Sequence, residues 1–345
     1  MAPSLMEQEA RDAPRHVAAL LAADQKMIEA LVARLRRAPP PFAVTVARGS
    51  SDHAALYGRY LFETILGLVT TSAAPSVVTV YGARLACAGA LAVAISQSGE
   101  SPDLCTTLHA LKAGGARTLT LVNAPDSPLA AIGDDFQPLH AGTERGVAAT
   151  KSFVCTLAAL ARLVARWCGD RDLLAALAVL PERLEAAVRA DWSAALPVLV
   201  PATAMLVVAR GRSFPIAQEI ALKLKETCQI QAEPFSAAEL MHGPLALIER
   251  EYPVLLLATE DETMREICDL ARGLAGKGAH VLIASTAVAA LALANTALPL
   301  AAPLHPVLDP ILHVQAFYPF AAQLAAARGL DVDAPRHLRK VTRTI

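Results

Sequence analysis

The sequence is poor in everything that would mark a polyanion as its partner. Over 345 residues acidic and basic side chains nearly cancel, leaving a formal charge of -1. No global field therefore draws the chain to nucleic acid or to an anionic membrane surface. Aromatic residues make up only 4%, which suits helices packed on a parallel sheet better than an aromatic-rich β-sandwich. The six cysteines, Cys87, Cys105, Cys155, Cys168, Cys228 and Cys268, stand apart with no CxxC pair. That spacing fits neither a zinc site nor a disulfide framework, so a reducing, cytoplasmic setting without a metal is expected. The usual nucleotide loops are missing too: there is no GxxxxGK[ST] and no GxGxxG after a strand. Nor is there the GxSxG elbow of a hydrolase. Residues 1–16 are charged and lack an apolar h-region, which excludes a signal peptide there. Residues 281–304 carry no charge and are long enough to cross a bilayer. Ser285, Thr286, Asn295, Thr296, Pro299 and Pro303 interrupt the run, however, so it is expected to form strand, short helix and strand inside an α/β domain.

What is present alternates. A helical leader over residues 5–37 ends at Pro39, Pro40 and Pro41. A buried strand over residues 42–47 runs into Arg48-Gly49-Ser50-Ser51 and then a helix. A second strand over residues 90–95 opens into Ser96-Gln97-Ser98-Gly99-Glu100-Ser101 and another helix, ended by Gly114 and Gly115 before a strand at residues 118–122. Strands and helices alternating in this way predict βα units and a parallel sheet. The second half repeats the plan. Val207-Val208-Ala209-Arg210-Gly211-Arg212-Ser213 matches Thr45-Val46-Ala47-Arg48-Gly49-Ser50-Ser51, and residues 254–258 match 92–96 at the same offset. Gly278-Ala279 then follows Gly115-Ala116, which points to an internal duplication. The expected fold is α/β: two domains, each a mostly parallel, doubly wound, flavodoxin-like sheet flanked by helices. The expected order is a helical leader (1–38), a first domain (39–168), a polar helical linker (169–197), a second domain (198–330) and a C-terminal tail (331–345).

The copies differ where chemistry is expected. The first has Ser96 to Ser101, small and hydroxyl-rich with Gly99 relaxing the backbone before a helix, an arrangement suited to a phosphate monoester at a helix N-terminus. Ser50 and Ser51 follow the neighbouring strand and can add hydroxyls, although a Ser-rich turn with an N-cap explains the run as well. The second copy has the acidic Ala258-Thr259-Glu260-Asp261-Glu262-Thr263, so only the first can welcome an anion. Lys223 and Glu226 lie in an otherwise apolar helix, and His242 follows within Glu239-Leu240-Met241-His242-Gly243-Pro244. A carboxylate and an imidazole can share general base and acid work near neutral pH. A solvated Lys/Glu face and a capping histidine explain the same residues.

SQSGES (96–101), AGTERGVAATKSF (141–153), ALKLKE (221–226), AAELMHGPLALI (237–248) and DVDAPRHLRKVT (331–342) together resemble the successive motifs of the tandem sugar-isomerase (SIS) domains. The chain is similar to the isomerase half of glucosamine-6-phosphate synthase and to stand-alone glucosamine-6-phosphate deaminases of that family. The resemblance implies that Ser51, Ser96, Gln97, Ser98 and Ser101 bind the sugar phosphate. It implies that Val147 and Ala149 line the carbon chain through their backbone, and that Glu226 moves the proton between C1 and C2. His242 would open the ring, reaching the site from the neighbouring subunit of a homodimer. Lys223 and Lys340 would stand beside the reacting carbons, with Lys340 on a C-terminal active-site tail next to Arg339, where the synthase has alanine. No cofactor is implied.

The synthase begins with a glutaminase whose nucleophile is an N-terminal cysteine. Here residue 2 is Ala2 and only the leader precedes the first strand. Unless a separate subunit supplies ammonia, the expected reaction is catabolic: glucosamine 6-phosphate to fructose 6-phosphate and ammonia. Fructosyl-amine 6-phosphate cleavage, a galactosamine 6-phosphate reaction and an isomerase subunit of glutamine-fructose-6-phosphate aminotransferase share the scaffold. A sugar-phosphate sensor would need Ser96 to Ser101 but not Glu226, His242 and Lys340. No helix-turn-helix is evident.

Overall fold

The computed structural model describes residues 3–338 and 340; Arg339, Val341 and Thr342 of the terminal motif lie outside the described residues. Two compact units divide the chain, and they do not follow chain order. One gathers Arg15–Glu144 and Lys151–Ala178 together with Lys340; the other gathers the first residues through Pro14, Arg145–Thr150 and Val179–Leu338. Each carries one parallel sheet.

The leader is two helices, α1 (Leu5–Ala22) and α2 (Gln25–Arg37). Asp24 between them is left-handed, with φ 57°, which stops the first hydrogen-bond ladder. The buried Arg162 guanidinium then satisfies the carbonyls of Leu20 and Ala23. Burial lowers that guanidinium to about 10. Helix α2 buries Ile28, Leu31, Val32 and Leu35, the i, i+3, i+4, i+7 stripe of an amphipathic helix.

The first sheet unit follows as β1 (Ala43–Val46), α3 (Ser50–Leu66), β2 (Thr70–Ser72), α4 (Pro75–Thr79), β3 (Leu91–Ser96), α5 (Pro102–Ala113), β4 (Arg117–Val122), α6 (Pro128–Ile132), β5 (Asp135–Pro138) and α7 (Lys151–Cys168). The strands pair in parallel in the order β2-β1-β3-β4-β5. Every residue of β3 is buried, as expected of a parallel strand covered on both faces. Val44, Val46, Ala92 and Ala94 pack against Leu104, Leu108 and Leu111 of α5. Helix α7 is buried all round from Lys151 to Ala165, which makes it a core element and not a surface one.

After α8 (Arg171–Ala187) and α9 (Leu196–Leu199), the second sheet unit contains β6 (Ala204–Ala209), α10 (Phe214–Cys228), β7 (Gln231–Ser236), α11 (Ala237–Met241), β8 (Pro253–Ala258), α12 (Met264–Gly276), β9 (His280–Ser285), α13 (Val288–Leu291), β10 (Thr296–Pro299) and α14 (Asp309–Ala327). Its strand order, β7-β6-β8-β9-β10, repeats the first, again all parallel. The uncharged run at residues 281–304 resolves into β9, α13 and β10, the strand, short helix and strand expected of it. Among the described residues no helix is long and apolar enough to cross a membrane. Trp192, read as part of a polar linker, is instead a core anchor. It is fully buried, its ring lies 6.0 Å from that of Phe320, and its Nε1 donates to the Pro299 carbonyl at 3.3 Å.

In both sheets the chain goes from the first strand to one edge and then returns to lay the third strand on the other side. Chain order thus reverses between β1 and β3, and again between β6 and β8. The crevice beyond the carboxyl ends of such a strand pair is where open α/β sheets bind ligands.

Candidate functional site

The first unit gathers hydroxyl-bearing residues at its reversal point. Strand β3 delivers Ser96, and α5 begins at Pro102 with Ser101 as its N-cap. Strand β1, paired with β3, leads through Gly49 into α3, whose first turn holds Ser51. Ser51, Ser96, Gln97, Ser98 and Ser101 therefore all come to the carboxyl ends of two adjacent strands. Ser96 is buried, and its hydroxyl accepts the Gly99 N–H at 2.9 Å, which braces the loop. Gln97, Ser98 and Ser101 are half-buried. The Ser101 hydroxyl makes no capping bond to α5, which leaves it unspent on the helix.

Gly99 is required by both conformation and space. Its φ is 67°, and an added Cβ would lie 2.1 Å from Ser127 Oγ. An ion pair that the sequence did not suggest fastens the helix to the sheet: Arg48 Nε and Nη2 stand 3.0 and 2.9 Å from Oδ2 of the buried Asp103. Arg210 and Glu266 make the corresponding pair in the second unit, Nε to Oε2 at 3.1 Å. Arginine after the first strand and an acid in the first turn of the third strand's helix are thus a shared scaffold device.

The ligand end of the second reversal point is filled by the protein's own charges. Arg212, where the first copy has Ser50, stands 2.8 Å from Glu262 and 3.7 Å from the buried Asp261. The Ser213 and Thr259 hydroxyls bond each other at 2.7 Å. Carboxylates paired with a neighbouring arginine thus stand where the first unit presents hydroxyls.

Helix α10 carries the second set of candidate groups. Lys223 is wholly buried, so it is not part of a solvated Lys/Glu face. Its Nζ lies 2.5 Å from Oε2 of Glu226 and 3.5 Å from Oε1 of Glu219, one turn on either side of it. Glu219 is itself fully buried and accepts the Tyr318 hydroxyl at 3.3 Å. Burial works against the Lys223 ammonium, but the charges and hydrogen bonds of Glu219 and Glu226 outweigh it and hold its pKa above the ordinary lysine value. Glu226 keeps 23% of its side chain exposed. The arrangement is an open carboxylate aligned by a buried ammonium, which a second, closed carboxylate keeps charged. Glu219 was missed from the sequence, although its i−4 spacing from Lys223 was the available signal.

The remaining predicted residues have the following surroundings. His242 is exposed at the end of α11, its backbone N–H bonded to the Glu239 carbonyl at 3.1 Å, with Gly243 next at φ 149°. Val147 and Ala149 lie in the 145–150 segment, whose Arg145 and Gly146 N–H groups are held by the buried Glu9 carboxylate at 2.5 and 3.1 Å. Lys340 meets Glu144, Nζ to Oε2, at 3.3 Å. A groove of about 830 Å³ bordered by Glu7, Arg11, Asp191, Phe320 and Gln323 is lined by none of the candidate residues. Among the described residues no group of three or more His, Cys, Asp or Glu side chains could hold a metal ion.

Two parallel sheets of the same strand order, one after the other in the chain, define a duplicated α/β fold. The family model described as the SIS domain matches residues 42–166 and 199–328, one span for each sheet. The chain belongs to the SIS domain family. Glutamine–fructose-6-phosphate aminotransferase [isomerizing] of Zymomonas mobilis subsp. mobilis is 34% identical over 308 residues, covering 86% of this chain and 51% of that protein. The chain spans about half the length of the curated relatives it matches, and the similarity is to their isomerase domain. A provisionally assigned phosphosugar isomerase from Silicibacter pomeroyi DSS-3 superposes with a TM-score of 0.89 at 38% identity, covering 96% of this chain and all of that one (100%). Glucosamine-6-phosphate deaminase from Thermotoga maritima has a TM-score of 0.76 at 22% identity over 99% of this chain and 100% of its own, a likeness of fold.

Proposed function

We propose that this protein is an amino-sugar phosphate deaminase/isomerase that converts glucosamine 6-phosphate and water to fructose 6-phosphate and ammonia. The observation that carries this reading is the open Glu226 carboxylate, 2.5 Å from the buried, doubly paired Lys223. A group that shuttles a proton between adjacent carbons must reach the substrate yet keep one fixed orientation, and this pair provides both. Ser51, Ser96, Gln97, Ser98 and Ser101 hold the phosphate. His242, from the neighbouring subunit of a homodimer, assists ring opening. Glu226 takes the proton from C2 of the open aldose and returns it to C1, leaving a C2 imine. Water adds to that imine and ammonia departs, giving the ketose. Val147 and Ala149 line the carbon chain, and Lys340 stands by the reacting carbons. No metal or cofactor enters, and the setting is cytoplasmic. The isomerase-domain similarity to an aminotransferase and the likeness to a phosphosugar isomerase support the substrate class.

The test is release of ammonia and fructose 6-phosphate from glucosamine 6-phosphate by purified protein without glutamine or added metal, beside a Glu226→Gln variant. Turnover that persists in the variant removes Glu226 from the mechanism. No turnover on glucosamine 6-phosphate, with turnover on galactosamine 6-phosphate or a fructosyl-amine 6-phosphate, replaces the substrate. Binding of all three without turnover makes the protein a sensor and overturns the reading.

A further inference from the structure

Glu144 is a buried carboxylate for which the proposed reaction has no use. Its side chain is fully enclosed, a position in which a charge persists only with partners. Two come from one residue: the Ser152 N–H lies 3.2 Å from Oε1 and the Ser152 hydroxyl 2.7 Å from Oε2. Ser152 is the second residue of α7, so its N–H is one of the donors that a helix start leaves without an intrahelical acceptor. The helix N-terminus adds favourable potential for a carboxylate. Glu144 is therefore fixed by its own neighbourhood. A further partner comes from the far end of the chain: Lys340 Nζ approaches Oε2 at 3.3 Å, with its side chain one quarter exposed.

This asymmetry suggests a direction of action. A carboxylate oriented by hydrogen bonds from its own neighbourhood offers a fixed acceptor to a lysine from a distant segment. We propose that Glu144 is the positioning residue for Lys340, fixing where its Nζ stands relative to the substrate. The inference rests on the role proposed above for Lys340, and Glu144 itself touches no reacting atom.

Two measurements on the full-length protein test it. The first needs no activity: brief acetylation with an N-hydroxysuccinimide ester, with the labelled fraction of Lys340 read by mass spectrometry against the exposed Lys277. Glu144→Gln should raise the Lys340 ratio several-fold and Glu144→Asp should raise it less; an unchanged ratio overturns the seat. The second is a turnover cycle. A misplaced group can cost about 10²-fold in rate, so Glu144→Gln and Lys340→Met should each lower kcat by up to about that factor. The double variant should be no slower than Lys340→Met alone, because Glu144 works through Lys340. Losses that multiply in the double variant overturn the proposal and make Glu144 a structural residue. If the unaltered protein shows no turnover, the reaction proposed above fails, and the labelling ratio still decides whether Glu144 seats Lys340.

Discussion

Lys223 and Glu226 lie one turn apart on α10, with Nζ 2.5 Å from Oε2, yet one is wholly buried and the other opens to solvent. That difference separates the consequences of removing them. Glu226→Gln keeps the shape of the side chain and leaves Lys223 its pairing with Glu219. Turnover should fall by about 10²- to 10⁴-fold, the usual worth of a general base, with little loss of stability. Lys223→Met deprives the buried Glu219 of its ammonium and should cost about 3–5 kcal/mol in folding. Denaturant unfolding of both variants checks this; equal losses would contradict the burial argument.

Gly99→Ala should destabilise the first unit and weaken sugar-phosphate binding together. The left-handed φ of 67° and the 2.1 Å approach to Ser127 Oγ both oppose a side chain. Backbone strain of this kind costs about 1–3 kcal/mol. Thermal melts with and without glucosamine 6-phosphate measure both effects. A variant that loses stability but keeps its ligand-induced shift removes the loop from the site.

Ser101→Ala should separate the two effects. Removing a working N-cap hydroxyl costs about 1 kcal/mol, but this hydroxyl makes no bond to the α5 backbone. Stability should change by less than that while phosphate affinity drops, as titration calorimetry with the sugar phosphate will tell. A full capping penalty with unchanged affinity would assign the serine to the helix.

His313 predicts an acid limb in the stability curve. Burial depresses its imidazole below the usual value, against the pull of the Asp309 and Ala284 carbonyls at its two ring nitrogens. As pH falls through about 6.5 the unfolded chain takes up a proton that the folded chain refuses, so stability declines below that point and is unaffected above it. Unfolding free energies between about pH 7 and pH 5 should slope less in His313→Gln. The same slope in both proteins would place the acid sensitivity elsewhere.

Seven strands were legible in the sequence: β10 at an edge, and β1, β3, β4, β6, β8 and β9, all interior, which are short and largely apolar because a strand covered on both faces must be. The other edges were harder. β2 is Thr-Thr-Ser, β5 ends in Pro138, and β7 carries Glu233 and Pro234, residues an edge tolerates because one side of its ladder goes unpaired. The leader read as helical throughout because both halves have helical composition; its break depends on Asp24 turning left-handed and on Arg162, remote in sequence, reaching the freed carbonyls.

The site divides along the same line. Duplication, reversal-point loops, the Ser96 to Ser101 run and the Lys223–Glu226 spacing are local patterns, set by periodicity, turn chemistry and helical pitch, and the sequence alone determined them. Which acids are buried, and against what, only the tertiary structure decided. Glu9 on the Arg145 and Gly146 amides, Asp103 under Arg48, Glu144 beneath Lys340 and Glu219 behind Lys223 look in the sequence like ordinary surface charges. Whether a carboxylate is solvated or must be paired depends on what the rest of the chain packs around it, and that information lies in residues far from it along the sequence.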